Sequence, residues 1–313
     1  AAIADANTRY SKSLVPQIFA PNTANGSTKY LEWGQPAVTN RHLQLDGTTN
    51  TNWLNLHIYN YQKYSQYTND TGTSSGYIED IDQLYADTAA DMPGETVFPM
   101  ALTEFNVRTG ANYDTTTATQ DSPSDYSAFG ANVVALTEHL AKQLYLFKFA
   151  QTERTGGTYP VAKNGTHYVE NATTGVNNYG GATKVAEVWR LFNKAAKGAR
   201  PRYALTHTLG SDVWPIATFD ATANMWYVFV SNKNTGSVTV DLDISALGVP
   251  NGNQAVIEEV SANYSGGVSA TPTVSGGQLN GYSLPAQSVC LISIPASFFE
   301  GPKYQAIFVS IHC

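Results

Sequence analysis

Phe98-Pro99-Met100-Ala101-Leu102-Thr103-Glu104-Phe105 is the stretch on which the fold turns. It is short and mostly apolar, and it runs into a carboxylate and then Asn106. A strand buried on both faces of a parallel sheet reads as such a continuous apolar run. Runs of the same kind stand at 14–20, 53–59 and 144–150. Between them lie stretches with the 3.6-residue period of an amphipathic helix. Residues 78–90 place Ile78, Ile81, Leu84 and Tyr85 on one face; 129–143 place Val133, Leu136, Leu140 and Leu144; 183–197 place Val185, Val188, Trp189, Phe192 and Ala196. Strand and helix in alternation predict parallel βα units. Four such units fit before residue 200, whereas a closed (β/α)8 barrel takes eight and typically about 250 residues. Residues 1–200 are therefore expected to be half a TIM-type barrel, its other half lying on sequence before Ala1, or else a different architecture.

After about residue 200 helical periodicity gives way to strand patterns at 214–219, 225–230, 238–242, 255–260 and 288–294. Turn residues separate them, among them Asn232-Lys233-Asn234-Thr235-Gly236 and Ser275-Gly276-Gly277. This spacing predicts an antiparallel β-sandwich over 201–297. Residues 298–313 form a tail, either one more strand or an appendage. The expected fold class is thus α/β plus all-β.

Charged residues make up 14% of the 313 and aromatics 12%, with nineteen Tyr. An average soluble domain carries roughly 25% charged residues. Thr, Asn, Ser, Gly and Tyr take their place, as suits a secreted protein with a neutral hydrogen-bonding surface. Tyr and Trp offer flat apolar faces with polar edges, a surface for stacking sugars as well as ordinary strand filling. A net charge of −7 and the lack of a basic run exclude a nucleic-acid footprint. No apolar run approaches the roughly 20 residues of a membrane helix. Two cysteines, Cys290 and Cys313, make no disulfide framework, and their pairing is open. Five N-x-S/T sequons, at Asn25, Asn69, Asn164, Asn171 and Asn263, are no more than the Asn, Ser and Thr content yields by chance; they permit N-glycosylation without establishing it.

Glu104 is the leading catalytic candidate. It stands near the C-terminal end of a buried-type strand, where (β/α)8 enzymes place their chemistry, and a carboxylate in an apolar run is costly unless paired. His57 and Tyr59 lie two apart on the preceding strand, so alternation directs them alike. There they can hydrogen-bond a carboxylate on the adjacent strand and hold it ionised. The ordinary alternative is a satisfied core His with a packing Tyr. Asn106, Arg108 and Gln151 follow strand ends and are candidate binders of sugar hydroxyls; Lys148, inside an apolar strand, is a further substrate-binding candidate. No phosphate-binding glycine loop and no metal-ligand spacing occurs, and no cofactor is expected. Glu138-His139 and the Glu79, Asp80, Asp82 group read as solvated helix residues.

Thr103-Glu104-Phe105-Asn106 resembles the strand-seven motif of the glycoside hydrolases of clan A, and Leu56-His57-Ile58-Tyr59 resembles their strand six. Residues 14–22 then fall at strand five and 144–151 at strand eight. A closer likeness is to the β-agarase and β-porphyranase group, glycoside hydrolase family 86. It rests on residues 156–165, on Tyr179-Gly180-Gly181-Ala182-Thr183-Lys184, on 187–192, and on the ending at 282–289. The resemblance implies a retaining hydrolase of a β-linked, galactan-type polysaccharide, with Glu104 as nucleophile and His57 and Tyr59 as its partners. Clan A enzymes carry their acid/base Glu, usually after an Asn, at the end of strand four. This sequence has no Asn-Glu pair, so the resemblance places that residue upstream of Ala1, on a segment or chain that completes the barrel. Alone, the chain is expected to be inactive. The alternative is a non-catalytic extracellular glycan-binding or structural protein that reuses the fold.

Overall fold

The computed structural model describes residues 7–11, 35–39, 54–60, 77–97, 100–107, 123–137, 144–146, 184–197, 200–203, 205, 207, 210 and 212–296, and along 54–60, 77–83, 100–107, 135–137 and 144–146 it describes the backbone course. The chain divides into two compact units.

The described elements of the first unit are α1 (Gln35–Thr39), β1 (Leu54–Asn60), α2 (Tyr77–Ala90), β2 (Met100–Val107) and β3 (Leu144–Leu146). The strands form one sheet in the order β1-β2-β3. β2 and β3 run parallel, with Met100 opposite Leu144 and Leu102 opposite Leu146. A parallel pair needs a crossover connection, usually helical, and the segment between these two strands contains α3 (Pro123–Thr137). α2 buries Leu84 and Thr88, one turn apart, and the Thr88 hydroxyl donates to the Leu84 carbonyl at 2.7 Å. Past its end, Asp91 accepts from the Gln35 amide through both carboxylate oxygens, each at 3.1 Å, which ties α1 to this turn.

The second unit holds α3, α4 (Lys184–Ala196) and the remaining strands: β4 (Arg202–Tyr203), β5 (Val213–Asp220), β6 (Met225–Asn232), β7 (Val238–Asp243), β8 (Val256–Val260), β9 (Ser265–Ala270), β10 (Gln278–Leu284) and β11 (Ser288–Pro295). Six of them form an antiparallel sheet in the order β4-β5-β6-β11-β8-β9, and β7 pairs with β10. Alternation gives the larger sheet two apolar faces. Trp226, Val228 and Val230 of β6 and Cys290, Ile292 and Ile294 of β11 join Val240 and Leu242 of β7 and Leu279 and Leu284 of β10 in one buried core. Trp226 is its largest member, with Phe219 at 4.6 Å and Tyr203 at 4.8 Å between ring centroids.

The opposite face seats α3 and α4. Phe192 meets Phe229 edge-on at 5.6 Å and stacks on Trp189 at 5.8 Å, and Trp189 meets Phe129 at 6.1 Å. The Ser231 hydroxyl donates to the Ser127 carbonyl at 2.6 Å and the Thr218 hydroxyl to the Ala195 carbonyl at 2.6 Å. At Gly130 the helix lies so near the sheet that a Cβ would come within 2.8 Å of both Ser231 Oγ and Val289 Cγ2.

Several expectations change. The helix expected from 129 already begins at Pro123 and is described as far as Thr137, residues 138–143 lying outside the described residues, and Leu144 belongs to β3. Proline suits the first helical turn, where its missing N–H has no partner to lose. Every residue from Tyr126 to Val134 is buried, so α3 is an enclosed helix with no solvated face there. α3 and α4 group with the six-stranded sheet in one compact unit. Periodicity identifies an apolar stripe; it does not say which sheet covers that stripe. Cys290 is buried in the core. The expected strand at 14–20, the tail 298–313 and Cys313 lie outside the described residues.

Candidate functional site

β2 carries Glu104 as its fifth residue and Asn106 as its seventh. Glu104 stands two residues beyond the last position paired with β3, toward the C-terminal end of the strand. β1, which carries His57 and Tyr59, is the neighbour of β2 on the other side. The topology thus sets the strand of the carboxylate beside the strand of the imidazole and the phenol. Arg108, Lys148 and Gln151 lie outside the described residues, as do Asn25, Asn69, Asn164 and Asn171. Asn263 is exposed in the β8–β9 turn, where its backbone N–H donates to Ser261 Oγ at 3.2 Å.

The second unit holds a pair of carboxylates that the sequence reading passed over. Glu258 and Glu259 are adjacent on β8, so their side chains leave opposite faces of the sheet. Glu258 meets α4: Arg190 Nη1 lies at 3.2 Å and Lys194 Nζ bonds its other oxygen. Arg190 also donates to Glu187 at 2.6 Å and to the Gly266 carbonyl at 2.6 Å. Burial alone would lower the Arg190 guanidinium, but Glu187 and Glu258 raise it above its usual value. Glu259 faces the core, where it accepts from the Tyr282 hydroxyl. Ser269 Oγ lies 3.0 Å from that same hydroxyl. Burial, then the neighbouring Cys290 and Glu259, push the Tyr282 phenol up; burial, then Glu259, push the Cys290 thiol up.

These groups make a frame. A retaining glycosidase needs two carboxyls roughly 5–5.5 Å apart on one cleft; Glu258 and Glu259 serve opposite faces and each is engaged. A buried thiol held protonated is no nucleophile. The signal for this network was the Glu-Glu step inside the apolar Val-Ile-Glu-Glu-Val strand. Among the described residues no cluster of three or more His, Cys, Asp or Glu has metal-binding geometry. Large exposed apolar side chains among the described residues are Tyr10, Tyr264 and Val268. No described helix is long and apolar enough to cross a membrane.

No protein-family model matches the chain, and no curated protein matches it in sequence. Solved structures do resemble it. A family GH30 endoxylanase from Clostridium papyrosolvens C71 matches with a TM-score of 0.56 at 17% identity, over 91% of this chain and 57% of that one. A glucosidase from Croceicoccus marinus matches with a TM-score of 0.59 at 12% identity, over 90% and 60%. A GH86 protein in complex with neoagarooctaose matches with a TM-score of 0.50 at 13% identity, over 79% and 38%. The chain spans six tenths or less of the length of these three. At such identities the likeness is one of fold, and that fold is shared with TIM-barrel glycoside hydrolases of clan A, with family 86 as one neighbour among several.

Proposed function

We propose that this chain is the C-terminal part of a secreted, retaining glycoside hydrolase that cleaves a β-linked, galactan-type polysaccharide such as agarose or porphyran. Residues 1–200 are read as the second half of its barrel and 201–297 as a β-sandwich that follows it. One observation carries the reading: Glu104 lies in the C-terminal half of β2, beside the strand of His57 and Tyr59, in a chain with a glycosidase fold. In this reading Glu104 attacks the anomeric carbon, and His57 and Tyr59 keep it ionised and aimed. Asn106, Arg108, Lys148 and Gln151 bind sugar hydroxyls. The acid/base carboxyl comes from the segment that completes the barrel. Asn263, the sequon that falls among the described residues, is exposed in a turn and open to a glycan.

The test is release of reducing ends from agarose and porphyran by the full-length protein, with Glu104→Gln as the variant. Loss of a nucleophile is expected to lower kcat on the order of 10⁴-fold or more. Turnover unchanged in that variant removes the assignment. A second reading, a non-catalytic glycan-binding or structural protein, draws on the lack of an Asn-Glu pair in these 313 residues. It expects a wild-type full-length protein that binds these glycans or none and cleaves neither.

A further inference from the structure

β1 reads Leu54-Asn55-Leu56-His57-Ile58-Tyr59-Asn60. Strand geometry sorts successive positions onto opposite faces. One face takes Leu54, Leu56 and Ile58; the other takes Asn55, His57 and Tyr59. A strand packed against apolar layers on both sides reads apolar at every position. One face of β1 instead carries Asn55, two residues before His57. On β2, its neighbour, one face changes part way, from Met100 and Leu102 to Glu104 and Asn106.

We propose that Asn55 is a third β1 member of the Glu104 site, a positioning residue that acts through His57. The proposal rests on the reading of Glu104 and His57 given above. Positions two apart on a strand share a face and are separated by about 6.6 Å. A neutral imidazole has one donor and one acceptor nitrogen. If one nitrogen serves the carboxylate, the group that satisfies the other fixes the tautomer and the ring. Asparagine offers both an NH₂ and a carbonyl, so it suits either protonation state.

The test is an NMR titration of His57 in the full chain labelled at histidine, with the signal assigned by its loss in His57→Gln. Asn55→Asp sets a carboxylate beside the imidazole and is expected to raise the His57 midpoint by about one pH unit. Asn55→Ser is expected to change the ratio of the two neutral tautomers, and it carries the test alone if the aspartate variant does not fold. A His57 signal indifferent to Asn55 overturns the proposal. Glu104→Gln separates the two levels: it is expected to lower the midpoint by about one unit. If it does so while the Asn55 variants do nothing, only Asn55 is removed; if it too does nothing, the site reading fails.

Discussion

The two faces of the six-stranded sheet are joined to their neighbours by different means. Toward β7 and β10 the join is an apolar core of Trp, Phe, Val, Leu and Ile, crossed at Glu259 and Tyr282. Toward α3 and α4 apolar contact is laced with directed bonds: Ser231 to Ser127, Thr218 to Ala195, Glu258 to Arg190 and Lys194. Arg200 adds to them: it bonds the Lys194 and Ala195 carbonyls at the end of α4, pairs with Asp220, and lies 4.8 Å over the Tyr227 ring. The backbone N–H of Ala223 and this guanidinium hold the Asp220 carboxyl below its usual range. Apolar burial holds two sheets together without fixing their register finely, whereas hydrogen bonds and ion pairs fix direction. The helix-side face is therefore a seat that orients two helices, and one of them, α3, lies in the connection between β2 and β3. The residues after 200 position elements that precede them.

The largest effect expected is from alkali, and it acts on both faces. Burial and the charge of Glu259 push the Tyr126 phenol, on α3, up to about 12 from 10.0. Tyr282 and Cys290, on the core side, are pushed up as well. All three hold their protons to higher pH in the fold than in the unfolded chain. Their contribution is complete below about pH 9 and is lost as pH rises past it. Tyr126 alone accounts for on the order of 2 kcal/mol by pH 12. Lys233 opposes this in part: burial lowers its ammonium despite Asp212 at 3.3 Å, so its contribution improves as pH climbs toward 10.5. Thermal melts are expected to give a Tm that falls steadily above pH 9 and collapses before pH 12. A flat profile over that range would show these groups to be open to water.

Next in size is Gly130→Val, aimed at the helix seat alone. Its branched side chain has no room against Ser231 and Val289, and a forced fit of this kind costs about 3 kcal/mol. Urea unfolding measures it. Gly130→Ala separates space from propensity, since alanine favours a helix by about 1 kcal/mol over glycine. A more stable alanine variant would mean that α3 stands further from the sheet.

This seat was only half legible in the sequence. β6 and β11 declare themselves through apolar runs, and α4 through its period, with Trp189 turning out to stack on Phe192 at the border of the buried stripe. Glu258 finds its cations 68 and 64 residues away in the chain, a relation no local pattern carries. β9, with its Ser-Gly-Gly start, and β10 were hidden for another reason: their glycine and polar content lies outside strand preference. Glu104, His57 and Tyr59 were legible as strand positions, because a buried-type strand ending in a carboxylate is a local pattern; that β1 and β2 are neighbours is a fact of topology.

The smallest effect is expected on the core side and depends on how β10 brings its tyrosine inward. Leu279 faces Leu242 and Tyr282 faces Val240, so three steps on β10 oppose two on β7. The extra residue is a bulge. Gly281 supplies its positive φ of 77°, and its N–H donates to Asp241 at 2.5 Å. Regular alternation would pair Leu279 with positions 281 and 283; the bulge turns Tyr282 and Leu284 inward instead, and Tyr282 meets Glu259. Tyr282→Phe keeps the ring and removes the bond to a carboxylate that is almost fully buried, a loss of about 1–2 kcal/mol. In a double-mutant cycle with Glu259→Gln, contacting groups show coupling of about 0.5 kcal/mol or more. Coupling near zero would mean that the apolar core alone fixes β7 and β10. The two faces would then differ more sharply still, one held purely by burial and the other by direction.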